Sequence, residues 1–253
     1  MDLLYVVAAS LFAGFVDSIV GGGGLILMPT LFAVFPTTHP ATLFGVNKSA
    51  SIWGTSAAAF QYAKRVQMPW HALLPAIAVC FAGSMAGAWT VTLISPDSLR
   101  KALPFILACV LGYTLARKDL GRHHAPTMQA HRETVAACAI ALTVGFYDGF
   151  FGPGTGSFFV FLFVRWLGYD FLHASASAKL LNTASNAAAL MLFIGKGHIW
   201  WHFVLPLAVA NVVGSLLGTR LALKHGSGFV RLAFMAVVSV LILKTSYDAW
   251  IRS

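Results

Sequence analysis

Long apolar runs separated by short polar joints set the rhythm of this chain. Residues 3–20, 69–94, 199–223 and 229–251 are each apolar for about the 20 residues that a helix needs to cross a hydrocarbon core. The pattern predicts helices over 3–20, 25–35, 41–63, 69–94 and 98–116, with Pro36 and Pro40 marking a turn. A second series follows over 134–151, 157–167, 171–195, 199–223 and 229–251. Between the two series, 117–133 is the most polar stretch of the chain. The short alternating segments of a membrane β-barrel are absent.

Composition turns these helices into spans. The chain is 58% hydrophobic and 10% charged, with a mean hydropathy of +0.78. A soluble domain carries about 25% charged residues, so this chain has too little polar surface to cover itself in water. The fold class is an all-α polytopic membrane protein, expected as a multi-pass protein of the bacterial inner membrane with the lipid bilayer as a partner. The net charge of +9 does not imply nucleic acid. Lys64, Arg65, Arg100, Lys101, Arg117, Lys118 and Arg122 sit at the ends of apolar runs, where membrane proteins keep their cations. Cys80, Cys109 and Cys138 lie singly in apolar segments without metal-ligand spacing and read as small buried hydrophobes. The first run looks superficially like a signal peptide. It lacks a basic n-region, however, and its residues recur in mid-chain, so it belongs to the fold.

That recurrence is extensive. Gly14, Phe15, Asp17, Gly21 and Gly23 fall on Gly145, Phe146, Asp148, Gly152 and Gly154 at an offset of 131 positions, and each copy ends in a glycine cluster, Gly21 to Gly24 and Gly152 to Gly156. Without a gap, the same offset pairs Lys48 with Lys179, Trp70 with Trp201, His71 with His202 and Pro75 with Pro206. Gly83, Ser84 and Gly87 then fall on Gly214, Ser215 and Gly218. Shared hydrophobicity does not explain matches of such rare residue types. The expected organisation is two homologous halves, 1–116 and 134–253, joined by a polar linker over 117–133, a common construction in secondary transporters. Each half has a glycine-broken first helix and three transmembrane helices, about eight segments in all.

Two topologies are open. If the broken first element crosses, the halves run parallel; if it is a re-entrant hairpin, they are inverted. Lys and Arg distribution favours neither, while arms of 18 and 11 residues around the glycines suit the hairpin better. Gly83/Gly87 and Gly214/Gly218 have the spacing of close helix packing, and Trp70, Trp200, Trp201 and Trp250 lie at segment ends as interfacial anchors.

Of the eight acidic residues, only Asp17 and Asp148 lie deep in apolar runs, and Lys48 and Lys179 are the cations most clearly embedded in helices. A charge at mid-bilayer costs about 2.5–3.5 kcal/mol even on the lenient scale, so each must face protein or a cavity. For the lysines this points to anion binding, supported by the helix starts after Gly24 and Gly156 with their free N–H groups and positive dipole ends. Asn47, Asn182, Ser185 and Asn186 supply further donors. The plainer alternative is that each lysine pairs with a carboxylate and only holds helices together. For Asp17 and Asp148 three roles are open: carrying a coupling proton, capping freed N–H groups, or neutralising the lysines. His123, His124 and His131 read as an exposed interfacial loop rather than a metal site. No protease, esterase, P-loop or dinucleotide motif is present, so no catalytic residues, metal or cofactor are expected and the chain reads as a non-enzyme.

The doubled G-F-x-D-x-x-x-G-x-G pattern, Gly45-Val46-Asn47-Lys48, and Ala178-Lys179-Leu180-Leu181-Asn182 with Ser185-Asn186 resemble the TauE/SafE family over almost the whole chain. Its members are described as carriers of small sulfur-containing anions such as sulfite, thiosulfate and sulfonates. The resemblance implies a permease whose substrate site gathers Gly22, Gly23, Gly24, Asn47, Lys48, Gly154, Thr155, Gly156, Lys179 and Asn182. Ala178 stands where the first half has Asn47, so the halves are not equivalent there. The reading is a secondary transporter of a small anion by alternating access, with a proton or sodium as the coupling ion. The alternatives are a membrane-embedded accessory subunit without transport activity and a cation-coupled carrier of other substrates.

Overall fold

The computed structural model describes residues 2–250 apart from 36, 39, 92–123, 126 and 127. The helix expected over 98–116, most of the linker, and Cys109 and His123 lie outside the described residues. What is described is entirely helical: α1 Asp2–Val20, α2 Gly24–Val34, α3 Pro40–Ala63, α4 Trp70–Val91, α5 Ala130–Phe150, α6 Thr155–Leu162, α7 Phe171–Gly195 and α8 Trp201–Trp250. Of these, α1, α4 and α8 contain stretches long and apolar enough to cross a membrane: Leu3–Val20, Trp70–Val91 and Trp201–Val237.

Three boundaries differ from the sequence expectation. First, α5 starts at Ala130 rather than 134, because Glu133 is buried and held there by Tyr169 Oη and His71. Second, the run predicted over 157–167 is α6 followed by a widened π-type turn, Phe163–Leu167, which closes on Gly168 at φ 75°. Third, the predicted helices 199–223 and 229–251 are two helices, as expected, but the joint between them narrows to a kink at Gly226 (φ 71°, ψ −165°), a conformation that suits glycine, so both are numbered within α8.

The first element of each series folds back on itself. Gly21 and Gly22 take φ of 80° and 102°, and Gly23 then packs against Ala13 and Asp17 of α1. At the far end of α2, Phe35 meets Trp200 and Phe203 edge-on at 5.2 and 5.3 Å. Those residues lie at the start of α8, near where Ser10 Oγ donates to the Leu207 carbonyl at 2.8 Å, so α2 returns towards the end of the molecule from which α1 came. In the second series Gly152 and Gly154 (φ 87° and 86°) make the break, and Tyr169 comes back to Glu133 at the start of α5.

The helices pack mainly across the two series. α1 lies along α8 in the same direction, Ser10 beside Leu207 and Phe15 beside Gly218. α4 lies along α5 likewise, with His71 Nε2 3.1 Å from Glu133 Oε2 at one end and Gly87 against Phe146 at the other. α3 follows α8 (Gly45 at His198, Ser215 Oγ to the Gly54 carbonyl at 2.6 Å), and α4 follows α7 (Ser84 Oγ to the Ser185 carbonyl at 2.8 Å). By contrast α3 and α7 run oppositely: Thr42 meets His198, and Thr55 Oγ1 accepts from Asn186 Nδ2 at 3.4 Å.

Glycines let these backbones touch. A Cβ on Gly214 would stand 1.9 Å from the Leu11 carbonyl oxygen, and one on Gly87 would stand 2.0 Å from that of Phe146. Polarity is reversed relative to a soluble protein. Asn47, Lys48, Asp148, Lys179, Asn182, Asn186 and Asn211 are buried, while Leu4, Phe12, Phe60, Leu205 and Leu243 are exposed. Trp70 and Trp201 are exposed at helix starts, in keeping with interfacial anchoring.

Candidate functional site

Both buried lysines are paired. Lys48 on α3 places Nζ 2.5 Å from Asp148 Oδ2 on α5. Lys179 on α7 places Nζ 3.0 Å from Asp17 Oδ2 on α1 and also donates to the Asp17 carbonyl. Adding 131 to one residue number and subtracting it from the other turns the first pair into the second. The same operation relates the Ser84–Ser185 and Ser215–Gly54 hydrogen bonds. Asp17 fills two of the three roles that were open: Oδ1 accepts the Gly23 N–H at 3.3 Å, and Oδ2 neutralises Lys179. Asp148 neutralises Lys48.

The broken elements meet between these pairs. A Cβ on Gly21 would lie 2.2 Å from the backbone of Gly156, and one on Gly24 would lie 3.6 Å from Pro153 Cα. The N-terminal ends of α2 and α6 are thus brought to one place, although the Leu25, Ile26 and Leu27 N–H groups donate to the Gly22 and Gly23 carbonyls and the Thr155 N–H to that of Gly152. A cavity of about 30 Å³ opens there, and Gly22, Gly24, Asn47, Lys48, Gly154, Thr155, Gly156 and Asn182 line it together with Asp17 and Asp148. A water needs about 10–15 Å³, so in this conformation the space suits two waters or a small ion. Asn47 Oδ1, an acceptor, is buried without a hydrogen-bond partner among the described residues.

Two expected residues stand back from the wall. Lys179 is fully buried behind Asp17, and Gly23 is occupied by its hydrogen bond to that same side chain. Two wall residues escaped the sequence reading. Ser51 and Thr55 follow Lys48 at helical spacings of three and seven, and both line the cavity. The offset of 131 could have found them, because it carries Asn182 onto Ser51 and Asn186 onto Thr55.

Among the described residues, one further group could hold a metal: His124, Asp170 and His173, whose ligand atoms lie within 4.8 Å of one another. Its geometry serves another purpose. Asp170 caps α7, accepting from His173 N at 2.7 Å and meeting His173 Nδ1 at 2.9 Å, while His124 stacks on the His173 ring at 4.0 Å. Stacked imidazoles aim their in-plane lone pairs side by side rather than at a common point. Burial works to raise the Asp170 carboxyl, but the hydrogen bonds from His173 outweigh it and hold the group below the ordinary carboxylate value. A depressed folded-state value means stabilisation that is complete above the unfolded value near pH 3.9 and lost as pH falls through the folded one. Asp170→Ala is expected to destabilise by about 1 kcal/mol at neutral pH. Melting curves of both proteins in detergent should converge as Asp170 protonates; a gap that persists in acid would show that the carboxylate charge is not what caps the helix.

A family model described as "Sulfite exporter TauE/SafE" matches residues 6–245. "Probable membrane transporter protein YfcA" of Escherichia coli K12 is 35% identical over 253 residues, covering 98% of this chain and 90% of its own. "Probable membrane transporter protein ORF9" of Sinorhizobium sp. is 34% identical over 241 residues, covering 94% and 89%. A "Probable membrane transporter protein" of Haemophilus influenzae is 29% identical over 249 residues, covering 98% and 96%. No solved structure matches the chain. The chain belongs to the TauE/SafE family.

Proposed function

We propose, from its membership of the TauE/SafE family, that this membrane transporter is a multi-pass permease of the bacterial inner membrane that moves a small anion by alternating access. The carrying observation is the polar cavity. Lys48, Asn47 and Asn182 meet the N-terminal ends of two half-helices inside an otherwise apolar bundle, a combination of fixed positive ends and donors suited to an anion. The two repeats, residues 1–116 and 134–253, supply the moving parts, and because α1 lies along α8 and α4 along α5 each part draws helices from both repeats. Inversion of these halves is supported by α3 and its offset counterpart α7 running oppositely while each lies along helices of the other series. The fold-back of α2 along α1 and of α6 towards the start of α5 favours re-entrant hairpins over straight spans.

The family's description makes sulfite the first substrate to try, and thiosulfate and organic sulfonates, which the resemblance implies, stand beside it. A proton or sodium accompanies the anion. Asp17 and Asp148 are the groups that take part in coupling or hold the site together.

The purified protein alone, reconstituted in liposomes, is expected to catalyse flux of at least one member of a panel of sulfite, thiosulfate, sulfoacetate and small carboxylates. Flux should be saturable and absent from protein-free vesicles. No flux with any of them, in either direction and with either a proton or a sodium gradient, would favour the accessory-subunit reading. Sodium or proton movement that needs no anion would favour a cation carrier.

A further inference from the structure

We propose that Asp148 rather than Asp17 is the proton-binding group of the transport cycle, and that its protonation frees Lys48 to hold the anion. This rests on the anion reading above and deepens it.

Charge at the cavity is already balanced. Asp17, Lys48 and Asp148 are on the wall, and Lys179 stands directly behind Asp17. The four formal charges cancel, and a bare anion entering would meet two carboxylates and leave an uncompensated negative charge away from water, which is strongly unfavourable. One proton entering with each monovalent anion removes that charge. In the step, the Asp148 carboxylate becomes a carboxylic acid, the Lys48 ammonium keeps its proton and turns from Asp148 Oδ2 to the anion, and the net charge of the chamber is unchanged.

The two pairs differ in their fitness for this. Asp17 is held by the Gly23 N–H and by Lys179, and Lys179 is also fixed to the Asp17 backbone carbonyl. Were Asp17 protonated, Lys179 would have no exposed path to an anion, since it is fully buried and off the cavity wall. Asp148 has one hydrogen-bond partner among the described residues, Lys48, and that partner is on the wall. Freed, Lys48 Nζ stays within the chamber, on the helix that also presents Asn47, Ser51 and Thr55. The Gly152 backbone lies close beside it: a Cβ there would be 3.4 Å from Lys48 Nζ.

The titratable groups around Asp148 leave no better candidate. Lys48 comes from α3, Cys80 on α4 donates to the Leu181 carbonyl, and Tyr147 precedes Asp148 on α5 and donates to the Pro153 carbonyl. α7 brings Lys179, committed to Asp17, and α6 brings no titratable side chain.

The test is calorimetric titration of the detergent-purified protein with thiosulfate and with methanesulfonate, each in two buffers of different ionisation enthalpy. Wild type is expected to take up about one proton per methanesulfonate bound, with affinity weakening about tenfold per pH unit on the alkaline side. Asp148→Asn should bind with no proton uptake and no pH dependence, whereas Asp17→Asn should melt earlier and keep the uptake. Anion binding to wild type without proton uptake, or uptake that survives in Asp148→Asn, would overturn the assignment while leaving the anion site intact. Failure of wild type to bind either anion would overturn the anion reading and this assignment with it. Infrared difference spectra of wild type give an answer independent of any variant: addition of the bound anion should raise a protonated-carboxyl band, and its absence rejects the proposal.

Discussion

Lys48→Ala is expected to abolish anion flux and to destabilise the folded protein by about 3–5 kcal/mol, the range for stripping one partner from a buried ion pair. Both losses have the same origin. Lys48 and Asp148 have side chains only 4% and 5% exposed, so an unpaired Asp148 has little water to turn to. The double variant Lys48→Ala/Asp148→Ala should recover much of the stability, because no charge is then left alone, and should recover none of the flux. Melting in detergent and flux in liposomes separate the two effects. If Lys48→Ala melts like wild type, the pair is not a close buried contact. If it melts early but transports normally, the cation is architectural and the anion site lies elsewhere. Lys179→Ala should match it in stability, since that side chain is wholly buried against Asp17.

The second large effect is steric. Alanine at Gly87 or Gly214 is expected to prevent accumulation of folded protein. Its Cβ would lie 2.0 Å from the Phe146 carbonyl oxygen in the first case and 1.9 Å from that of Leu11 in the second. The obstructing atoms are backbone, so no side chain can swing aside; the paired helices must separate by more than 1 Å, roughly the distance needed to restore ordinary contact, and lose their shared packing. Gly228→Ala is the control, because nothing lies within 4 Å of a Cβ there and an exposed helical glycine replaced by alanine gains about 0.5–1 kcal/mol. Yield of monodisperse protein after detergent extraction reads the result. Normal yields from Gly87→Ala and Gly214→Ala would mean that the helices do not pack as closely as described.

The helical class and the helix breaks were legible because each depends on local chemistry. A run such as 3–20 has too few polar groups for water, and Gly21 and Gly22 adopt backbone angles that other residues resist. Residue pairing was only half legible. The offset between Asp17 and Asp148 marked four charged residues as related, but not that each lysine would reach across to the other half's aspartate; that depends on α1 lying along α8, nearly 200 positions away (Ser10 to Leu207). Polar residues at the start of α5 read as linker from composition, because burial of Glu133 depends on Tyr169 and His71, two distant partners. The interruption between the helices predicted over 199–223 and 229–251 is legible, and one glycine angle, at Gly226, suffices to make it. Ser51 and Thr55 are ordinary residues in a helix, and only their positional relation to Asn182 and Asn186 distinguishes them.

The cross-series packing also has a consequence for biogenesis. Because α1 nests against α8, α1 cannot seat until α8 has been synthesised, Ser10 waiting 197 positions for Leu207. Throughout translation, the nascent chain carries an unsealed seam along Gly14, which shuts only when Asn211 arrives. Premature termination ahead of α8 therefore strands α1 as well as deleting α8, leaving a fragment whose unseated α1 is open to quality-control proteases.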